Sequence, residues 1–356
     1  MSKVRVGIVG ASADSGWARY SHIPAIAASP HMELAAVATS NEASARKAAS
    51  TFKAPRAFVG TAALAACEAV DLVVVSVKAP EHEAAVNAAI AAGKSVLCEW
   101  PLGANGEEAA RMTTLARSRH LLSVAGLQGR FSPIAVQARQ LIDSGYLGEI
   151  QAVSLRASYS FWGRNVLSAY FADERSGVNV LSISGGHCLD MMTYLCGDVA
   201  QVSGVLSYRH KEGFAADTQR SVVISAPDQF AAQGCLSNGA VFAAHVIGDA
   251  PSGQDFRMRI TGTKGQLILD APGMPEIAPL TLTGCQGASP LATLATAAAG
   301  PGTSQHAPES TANYLAFYEK FATGQDELPS FEDALKLHRL LDAIHLSSRT
   351  GARQTL

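Results

Sequence analysis

The chain has 356 residues, 48% of them hydrophobic and only 16% charged, and its formal net charge is -2. Its length predicts two domains, and its low charge with high apolar content excludes a disordered chain. The near-zero charge excludes the strongly basic surface of a nucleic-acid-binding protein, and no apolar run approaches the roughly 18 residues that predict a membrane-spanning helix.

Scattered cysteines and the start of the chain both favour a cytoplasmic protein. The sequence runs directly into a strand pattern, without the apolar segment and cleavage site of a secretory signal. The six cysteines form no CxxC pair, so we expect reduced thiols that pack as small apolar side chains. Neither the cysteines nor histidines such as His82 and His187 have the spacing of metal ligands, so we expect no metal site.

The first third of the chain alternates short apolar runs with helical patterns. This alternation predicts a Rossmann-type, doubly wound parallel sheet with right-handed βαβ crossovers. The run Asp71–Val77 is continuously apolar, which is typical of a strand buried on both faces. The predicted strands are Val4–Val9, Leu34–Ala38, Asp71–Val77, Ser95–Cys98 and Leu121–Ala125. The predicted helices are Trp17–Ala28, an Ala-rich stretch after Asn41, Glu81–Ala92 and Glu107–Arg119.

The turn after the first strand is a candidate dinucleotide site. Ligands of such sheets bind at the carboxyl ends of the strands, and glycines let backbone N–H groups approach a pyrophosphate. The turn runs from Gly10 to Gly16 and is followed by Trp17, but it is one residue longer than GxGxxG and has Ser12 at the middle glycine. A simple β-α turn is the alternative. The position at the start of a βαβ unit favours the dinucleotide interpretation.

The end of the second strand bears on the choice between NAD and NADP. An NAD site usually has a carboxylate there, which binds the ribose hydroxyls and repels a 2′-phosphate. Here the position holds Thr39, followed by Ser40, with Arg46 and Lys47 nearby. We therefore favour NADP over NAD, with a polar strand end that does not discriminate as the alternative.

From about residue 150 the pattern changes to alternating strands and hairpin turns, which predicts a mostly antiparallel open sheet with helices on one face. We expect a Rossmann domain at 1–126 and an α+β sheet domain for substrate binding and oligomerisation at 127–356. The Ala-, Gly-, Ser- and Thr-rich stretch Cys285–Gln305 predicts a loop. Predicted strands include Gln151–Tyr159, Arg220–Ser225, Gln229–Leu236, Ala240–Ile247, Phe256–Ile260 and Gln266–Leu269, and predicted helices are Ser132–Ser144, Gly186–Leu195 and Phe331–Ser348.

Several short motifs, in order along nearly the whole chain, resemble the glucose–fructose oxidoreductase/inositol dehydrogenase (Gfo/Idh/MocA) family. They are Cys98-Glu99-Trp100-Pro101-Leu102, Leu127-Gln128-Gly129-Arg130, Gly185-Gly186-His187 and Ile260-Thr261-Gly262-Thr263-Lys264-Gly265. The pair Gly16-Trp17, the run His22-Ile23-Pro24-Ala25-Ile26 and the Glu99-Trp100 pair are most similar to the branch of that family that contains a yeast galactose-regulon repressor.

The resemblance implies a nicotinamide dinucleotide bound by the first domain. In dehydrogenases of this family, a lysine and an Asp-x-x-x-His pair act on a sugar or cyclitol hydroxyl, and hydride passes to the nicotinamide. Here Trp100 stands at the lysine position and Ile183 at the aspartate position, while His187 keeps the histidine. The expected cofactor-binding residues are Gly10, Ser12, Gly16, Trp17, Thr39, Ser40, Val77, Lys78, His82, Glu99, Trp100 and Gln128.

Two residues are candidate catalytic groups. His187 is the best proton carrier because the ordinary imidazole pKa suits neutral pH, and Asp190, three residues on, could orient the ring or cap the helix. The alternative for His187 is a ligand-contacting or buried, hydrogen-bonded histidine. Lys78 stands at the end of a buried strand and could supply the cation that Trp100 cannot. Its alternatives are cofactor phosphate binding or exposure to solvent.

The residues expected to contact substrate are Trp100, Arg130, Trp162, Arg164 and His187, because aromatic faces suit sugar rings and flat ligands. Core packing is the alternative for Trp162. The first functional hypothesis is an NAD(P)-dependent oxidoreductase of a sugar, a cyclitol or a related small carbonyl or alcohol. The second is a dinucleotide-binding sensor or regulator without turnover. An uncovered sheet face at Ala231–Leu236 and Ala240–Ile247 predicts a homodimer or homotetramer.

Overall fold

The computed structural model describes residues 2–251, 253–297, 307–324 and 327–356. The chain divides into two compact units, the first made of Met1–Gln128 with Ala299–Lys336 and the second of Gly129–Ala298 with Leu337–Leu356. The return of residues 299–336 to the first unit was not expected from the sequence. The functional assignment of domains 1–126 and 127–356 stays a prediction.

The first six strands belong to the first unit, and the strands from the seventh onward belong to the second. They are β1 (Val4–Val9), β2 (Met32–Thr39), β3 (Ala57–Val59), β4 (Leu72–Val75), β5 (Ser95–Glu99), β6 (Ser123–Gly126), β7 (Ile150–Ser158), β8 (Asn165–Val166), β9 (Val199–Ser207), β10 (Glu212–Ala215), β11 (Arg220–Val223), β12 (Gln229–Leu236), β13 (Val241–Ile247), β14 (Asp255–Gly262), β15 (Gly265–Ala271), β16 (Thr281–Gln286), β17 (Ala292–Thr296) and β18 (Gln354–Thr355).

The helices alternate with the first strands and then become sparse. They are α1 (Trp17–Tyr20), α2 (His22–Ala28), α3 (Glu42–Phe52), α4 (Thr61–Ala65), α5 (His82–Ala91), α6 (Gly106–Ser118), α7 (Pro133–Asp143), α8 (Gly186–Cys196), α9 (Pro308–Thr323) and α10 (Phe331–Thr350). A π-helical segment, Val180–Gly185, leads directly into α8. No helix within the described ranges combines the length and apolar character needed to cross a bilayer.

The first unit is built on a six-stranded sheet in the order β3-β2-β1-β4-β5-β6, with every neighbouring pair parallel. All four residues of β4 are fully buried, which agrees with the apolar run that predicted a strand covered on both faces. The parallel order confirms the predicted Rossmann fold. It also brings the carboxyl ends of β1, β2, β4 and β5 to one edge of the sheet.

The predicted helix Trp17–Ala28 is interrupted at Ser21, so that two short helices replace one. Pro24 has no N–H to bond the carbonyl of Tyr20, and that carbonyl instead accepts a 3.0 Å hydrogen bond from Thr311 Oγ1. The Ser21 hydroxyl donates to the carbonyl of Trp17 at 2.7 Å and closes the first helix. A helical period alone does not reveal this break.

The second unit contains a nine-stranded sheet in the order β17-β16-β15-β14-β7-β13-β12-β9-β18. Its pairs are antiparallel except β7 with β13, which confirms the predicted mostly antiparallel sheet. Along β13 buried and exposed residues alternate strictly, as in a sheet with one covered face. Three further strands form a separate sheet in the order β11-β10-β8.

Several further parts of the secondary structure differ from the sequence expectations. The stretch Cys285–Gln305 was expected to be a loop, but its first part completes β16 and contains β17, while residues 298–306 lie outside the described residues. β16 pairs with β15, and β17 pairs with β16 and forms the edge of the sheet. Helix α9 and strand β9 were not predicted at all.

Candidate functional site

The turn after β1, the predicted pyrophosphate site, contains two glycines with positive φ. Gly10 has φ 89°, and a Cβ at this position would lie 2.2 Å from the carbonyl oxygen of Ser76, so only glycine fits. Gly16 has φ 105° and faces open space. The Ser12 hydroxyl accepts long hydrogen bonds from the N–H groups of Asp14 and Ser15, at 3.3 and 3.4 Å. Ser12 therefore holds the turn in the place of the usual middle glycine, and the turn can accommodate a dinucleotide.

The end of β2 carries hydroxyls and no carboxylate. Thr39 Oγ1 lies 2.6 Å from Ser44 Oγ and donates to the Asn41 carbonyl at 3.0 Å, while Ser40 is exposed. Two predicted phosphate-binding cations already have partners. Lys47 Nζ lies 2.5 Å from Asp14 Oδ1, and Arg46 pairs with Glu42. Both ion pairs are exposed, so each contributes little and can open at a small cost.

The segments after β4 and β5 are tied together by a buried histidine. His82 Nδ1 lies 2.9 Å from the Pro101 carbonyl oxygen, and its Nε2 lies 3.1 Å from the Val77 carbonyl oxygen. Burial lowers the pKa of His82, so its ring is neutral at pH 7. Trp100 is 5% exposed, whereas Lys78 is exposed at the end of β4. His82 thus shapes this edge of the sheet through its contacts with the backbone.

Glu99, at the end of β5, is held by a network that the sequence did not predict. Its Oε1 lies 2.8 Å from His22 Nε2 and accepts a hydrogen bond from Tyr314. The other ring nitrogen of His22 lies 2.8 Å from the hydroxyl of Tyr318, and the Tyr314 hydroxyl oxygen also lies 3.4 Å from Gln128 Oε1. Since both tyrosines belong to α9, the network explains why residues 308–323 pack with the first unit.

In the second unit, His187 occupies the first turn of α8. The preceding π-helical segment begins with a capping box in which Asn179 Oδ1 accepts from the N–H of Ser182, and the Ser182 hydroxyl accepts from the N–H of Asn179. Ile183 lies within this segment and offers no polar atom on its side chain. π-helical turns often occur at functional sites, and this one sets the start of the helix that carries His187.

His187 faces a carboxyl group that the sequence did not single out. Its Nε2 lies 3.8 Å from Oε1 of Glu276, and the two side chains are 10% and 4% exposed. Burial lowers the pKa of His187 to about 3, and burial together with the charge of Asp190 raises the pKa of Glu276 to about 8. At pH 7 the imidazole is therefore neutral and the carboxyl protonated.

The carboxylate of Asp190, which one interpretation of the sequence placed beside the His187 ring, pairs with Arg130. Nη2 of Arg130 lies 2.6 Å from Asp190 Oδ1, and Nε lies 3.0 and 3.2 Å from the two carboxylate oxygens. The side chains are 16% and 4% exposed. The guanidinium also lies 5.5 Å from the centre of the Tyr194 ring. This ion pair anchors the segment after Gly129 to α8.

The two other predicted substrate residues have different surroundings. The indole N–H of Trp162 donates to Ser184 Oγ at 2.7 Å, and the side chain is 3% exposed, as in the core-packing alternative. Arg164 is 73% exposed, with Nε 3.7 Å from Asp249 Oδ2, the same oxygen that lies 2.8 Å from His210 Nε2. Ligand binding by Trp162 and Arg164 stays a prediction.

The predicted site residues thus form clusters within each unit. The first unit brings together the turn after β1 with the ends of β2, β4 and β5, and the second brings together His187, Arg130 and the residues around them. Across residues 2–251, 253–297, 307–324 and 327–356, no group of three or more His, Cys, Asp or Glu side chains is arranged to hold a metal ion. All six cysteines are free thiols.

Family models match both units. Residues 4–126 match the model described as an oxidoreductase family with an NAD-binding Rossmann fold, and residues 133–271 match the model of the C-terminal domain of Gal80p. The dehydrogenase aclE of Aspergillus oryzae is 32% identical over 288 residues, which cover 77% of this chain and 79% of that protein. The galactose/lactose metabolism regulatory protein GAL80 of Kluyveromyces lactis is 29% identical over 303 residues, covering 78% of this chain and 66% of that protein.

Similarity to solved structures extends over the whole chain. Levoglucosan dehydrogenase, solved in complex with NADH and L-sorbose, matches with a TM-score of 0.84 and 21% sequence identity. The match covers 100% of this chain and 99% of that structure. At this identity the likeness establishes the fold.

Proposed function

This chain belongs to the oxidoreductase family with an NAD-binding Rossmann fold, and from that premise we propose that it transfers hydride between a nicotinamide dinucleotide and a small carbonyl or alcohol compound. A sugar or cyclitol is the proposed substrate class, supported by the L-sorbose bound to levoglucosan dehydrogenase. The observation that carries the proposal is His187, a neutral and largely buried imidazole at the start of α8.

The residues of the first unit would hold the cofactor. The turn from Gly10 to Gly16, where Gly16 faces open space, would hold the pyrophosphate, and Thr39 and Ser40 would face the adenosine ribose. The other expected cofactor contacts are Trp17, Val77, Lys78, His82, Glu99, Trp100 and Gln128. When bound, the nicotinamide supplies or accepts the hydride.

The residues of the second unit would handle the proton and orient the substrate. A neutral His187 can take the proton of a substrate hydroxyl during oxidation or give a proton to the carbonyl oxygen during reduction. Trp100 and Ile183 cannot carry charge, so Lys78 is the candidate cation that would stabilise the developing alkoxide. Reduction depends less than oxidation on a base and a cation, because the substrate carbonyl is already polarised.

Dinucleotide binding is tested by thermal unfolding. A bound ligand stabilises the folded state by mass action, so a hundredfold excess over Kd should raise the free energy of unfolding by about 2.7 kcal/mol. We expect a rise in Tm with both cofactors and a larger rise with NADPH than with NADH, since no carboxylate ends β2. No rise with either cofactor at millimolar concentration would contradict the cofactor assignment, and a larger rise with NADH would contradict the NADP preference.

A regulator without turnover is the second candidate function. The residues Trp100 and Ile183 favour it because two of the polar groups expected from the family resemblance are replaced by apolar ones. The similarity to GAL80 supports the same interpretation. NADPH or NADH oxidation, measured by absorbance with a panel of sugars, cyclitols and small carbonyl compounds, separates the candidates. The enzyme oxidises the cofactor with at least one compound, whereas the regulator binds it without turnover.

The uncovered face of the nine-stranded sheet is the proposed surface for self-association. It contains a shallow concavity of about 790 Å³, and Val205 and Val241 on this sheet are 66% and 57% exposed. Arg156 and Arg257 on the same face form ion pairs with acidic residues of β14 and β15, so the face is mixed in character. We expect a homodimer or homotetramer by light scattering, and Val205→Glu should shift it toward the monomer. A monomeric parent protein would contradict the proposal.

We also propose a cytoplasmic location. Six free thiols suit a reducing compartment, where disulfides rarely persist.

A further inference from the structure

We propose that Glu276 is a positioning residue for catalysis, the carboxyl partner that orients His187 and replaces the proton that the imidazole gives to the substrate. This inference rests on the proposed oxidoreductase function. It deepens that function because it identifies where the second unit keeps the proton for the reaction. The residue four positions before His187, Ile183, has no group that could do so.

The position of Glu276 is fixed by close packing. It follows β15 in a turn where the N–H groups of Ile277 and Ala278 donate to the Met274 carbonyl at 3.1 and 2.9 Å. A Cβ added at Gly129 would lie 3.2 Å from the Glu276 Cβ, so glycine at 129 lets the two backbones approach. The turn thus places a 3% exposed carboxyl beside His187, on an element other than the helix that carries the histidine.

The separation of His187 Nε2 and Glu276 Oε1 is 3.8 Å. This is longer than a hydrogen bond, and a proton passes across it after a small approach of the two side chains or through one bridging water. Catalytic hydrogen bonds are often long without ligand and shorten in the substrate complex. The geometry therefore permits the pair to exchange a proton during the reaction.

Asp190, on the same helix as His187, is a second buried carboxyl of this cluster, and it is engaged by an arginine. Both of its oxygens accept hydrogen bonds from Arg130, which keeps it ionised. Its negative charge adds to burial in disfavouring a second carboxylate at Glu276. Of the two carboxyls, Asp190 is paired with a guanidinium, and Glu276 keeps its proton at neutral pH.

Several titratable groups of the described residues surround Glu276. On α8 they are His187, Cys188 and Asp190, and on the segments packed against it they are Arg130 and Tyr159. Burial raises the pKa of Cys188 and of Tyr159 well beyond neutral pH, and Arg130 is paired with Asp190. Glu276 is consequently the group of this cluster that changes charge between pH 7 and 9.

The proton balance closes with these two residues. In reduction, the carbonyl carbon receives the hydride and the carbonyl oxygen takes the proton from the His187 imidazole. The proton of the Glu276 carboxyl moves to His187 at the same time, so that the ring is neutral before and after the transfer, and the remaining carboxylate regains a proton from solvent. In oxidation the steps run in reverse: His187 takes the hydroxyl proton as its ring proton passes to an ionised Glu276.

The pH profile of kcat in the wild type and in Glu276→Gln tests this role. The folded pKa of about 8 predicts that the wild-type reduction rate falls, and the oxidation rate rises, as the pH passes 8. In Glu276→Gln we expect kcat lower by on the order of 10²-fold with little change in KM, and no inflection near pH 8. Glu276→Asp should restore part of kcat together with the inflection. A Gln variant with wild-type kcat and an unchanged profile would overturn the proposal.

A matched control and a second readout separate this inference from the proposed function. Glu309, in the other unit, is a second carboxyl whose pKa burial raises, and Glu309→Gln should keep the wild-type profile. If no substrate is turned over, the proposed function fails, whereas the pair is still tested by NMR. The His187 ring signals, assigned with His187→Asn, should titrate near pH 8 in the wild type. A ring signal that is constant between pH 7 and 9 would overturn the pairing without any Glu276 variant.

Discussion

Replacing His187 with asparagine is expected to lower kcat/KM by roughly 10²- to 10⁴-fold, because it removes the group that transfers the proton in the rate-determining bond changes. Asparagine keeps a polar side chain of similar reach but cannot accept or release a proton at neutral pH. Steady-state kinetics in both directions measures the effect. Dinucleotide binding, followed by the thermal shift, should persist, since the cofactor residues belong to the first unit.

His31→Asn provides the matched control for that measurement. His31 is 45% exposed and pairs with Glu319 at 3.3 Å in the first unit, so its replacement should leave kcat/KM within a factor of about two. Wild-type kcat/KM in His187→Asn would remove this histidine from the mechanism. A loss that is matched by a fall in Tm would instead assign it a structural role.

Replacing Arg130 with methionine is expected to reduce the free energy of unfolding by about 3–5 kcal/mol. The change leaves the 4% exposed carboxylate of Asp190 without its guanidinium partner. Breaking one side of a buried ion pair is costly because the remaining charge stays out of water. Denaturant unfolding of the wild type and the variant, with equal m values, gives the difference.

Arg111→Met is the control for the loss of an arginine ion pair. Arg111 pairs with Glu83 at 2.6 Å, but its side chain is 56% exposed, and such surface pairs contribute at most about 1 kcal/mol. If Arg130→Met lowers the free energy of unfolding as little as Arg111→Met does, the Asp190 carboxylate must form hydrogen bonds with other groups or with water in the variant. Turnover is not needed for either measurement, so the result holds for an enzyme and for a regulator.

The sequence predicted the parallel sheet, the mostly antiparallel sheet and the edge of the parallel sheet where the carboxyl ends of its strands meet. Each of these features depends on local patterns. Apolar runs such as 72–75, the glycines of the first turn and the strict alternation along β13 each reflect one element and its burial. Gly10 follows β1 and Thr39 ends β2. Because the two strands are parallel neighbours, both residues lie at the same edge of the sheet.

The sequence could not predict the partners that depend on distant segments. Glu276 follows a hairpin and meets His187, 89 residues earlier in the chain, only through the tertiary folding of the second unit. His22 and Glu99 meet Tyr314 from α9, which lies more than 200 residues further along the chain than Glu99. The short motif around Gly185-Gly186-His187 predicted the histidine but carried no signal for its carboxyl partner.

The same limit applies to residues that have two plausible roles. Trp162 was expected at the substrate, with core packing as the alternative, and only its 2.7 Å bond to Ser184 places it against the π-helical segment. Asp190 could have oriented His187, but the bidentate geometry of Arg130 assigns it elsewhere. In both cases the sequence pattern was compatible with either role, and the side-chain contacts depend on segments that are distant along the chain.

Deuterium transfer tests the central claim most directly. NADPH or NADH that carries deuterium at the transferable C4 position is incubated with the protein and the panel of sugars, cyclitols and small carbonyl compounds, and the products are examined by mass spectrometry. The account predicts one deuterium on the carbon of a newly formed alcohol with at least one compound, and loss of that product in His187→Asn. Cofactor binding by thermal shift without deuterium transfer to any compound would contradict it and leave the regulator.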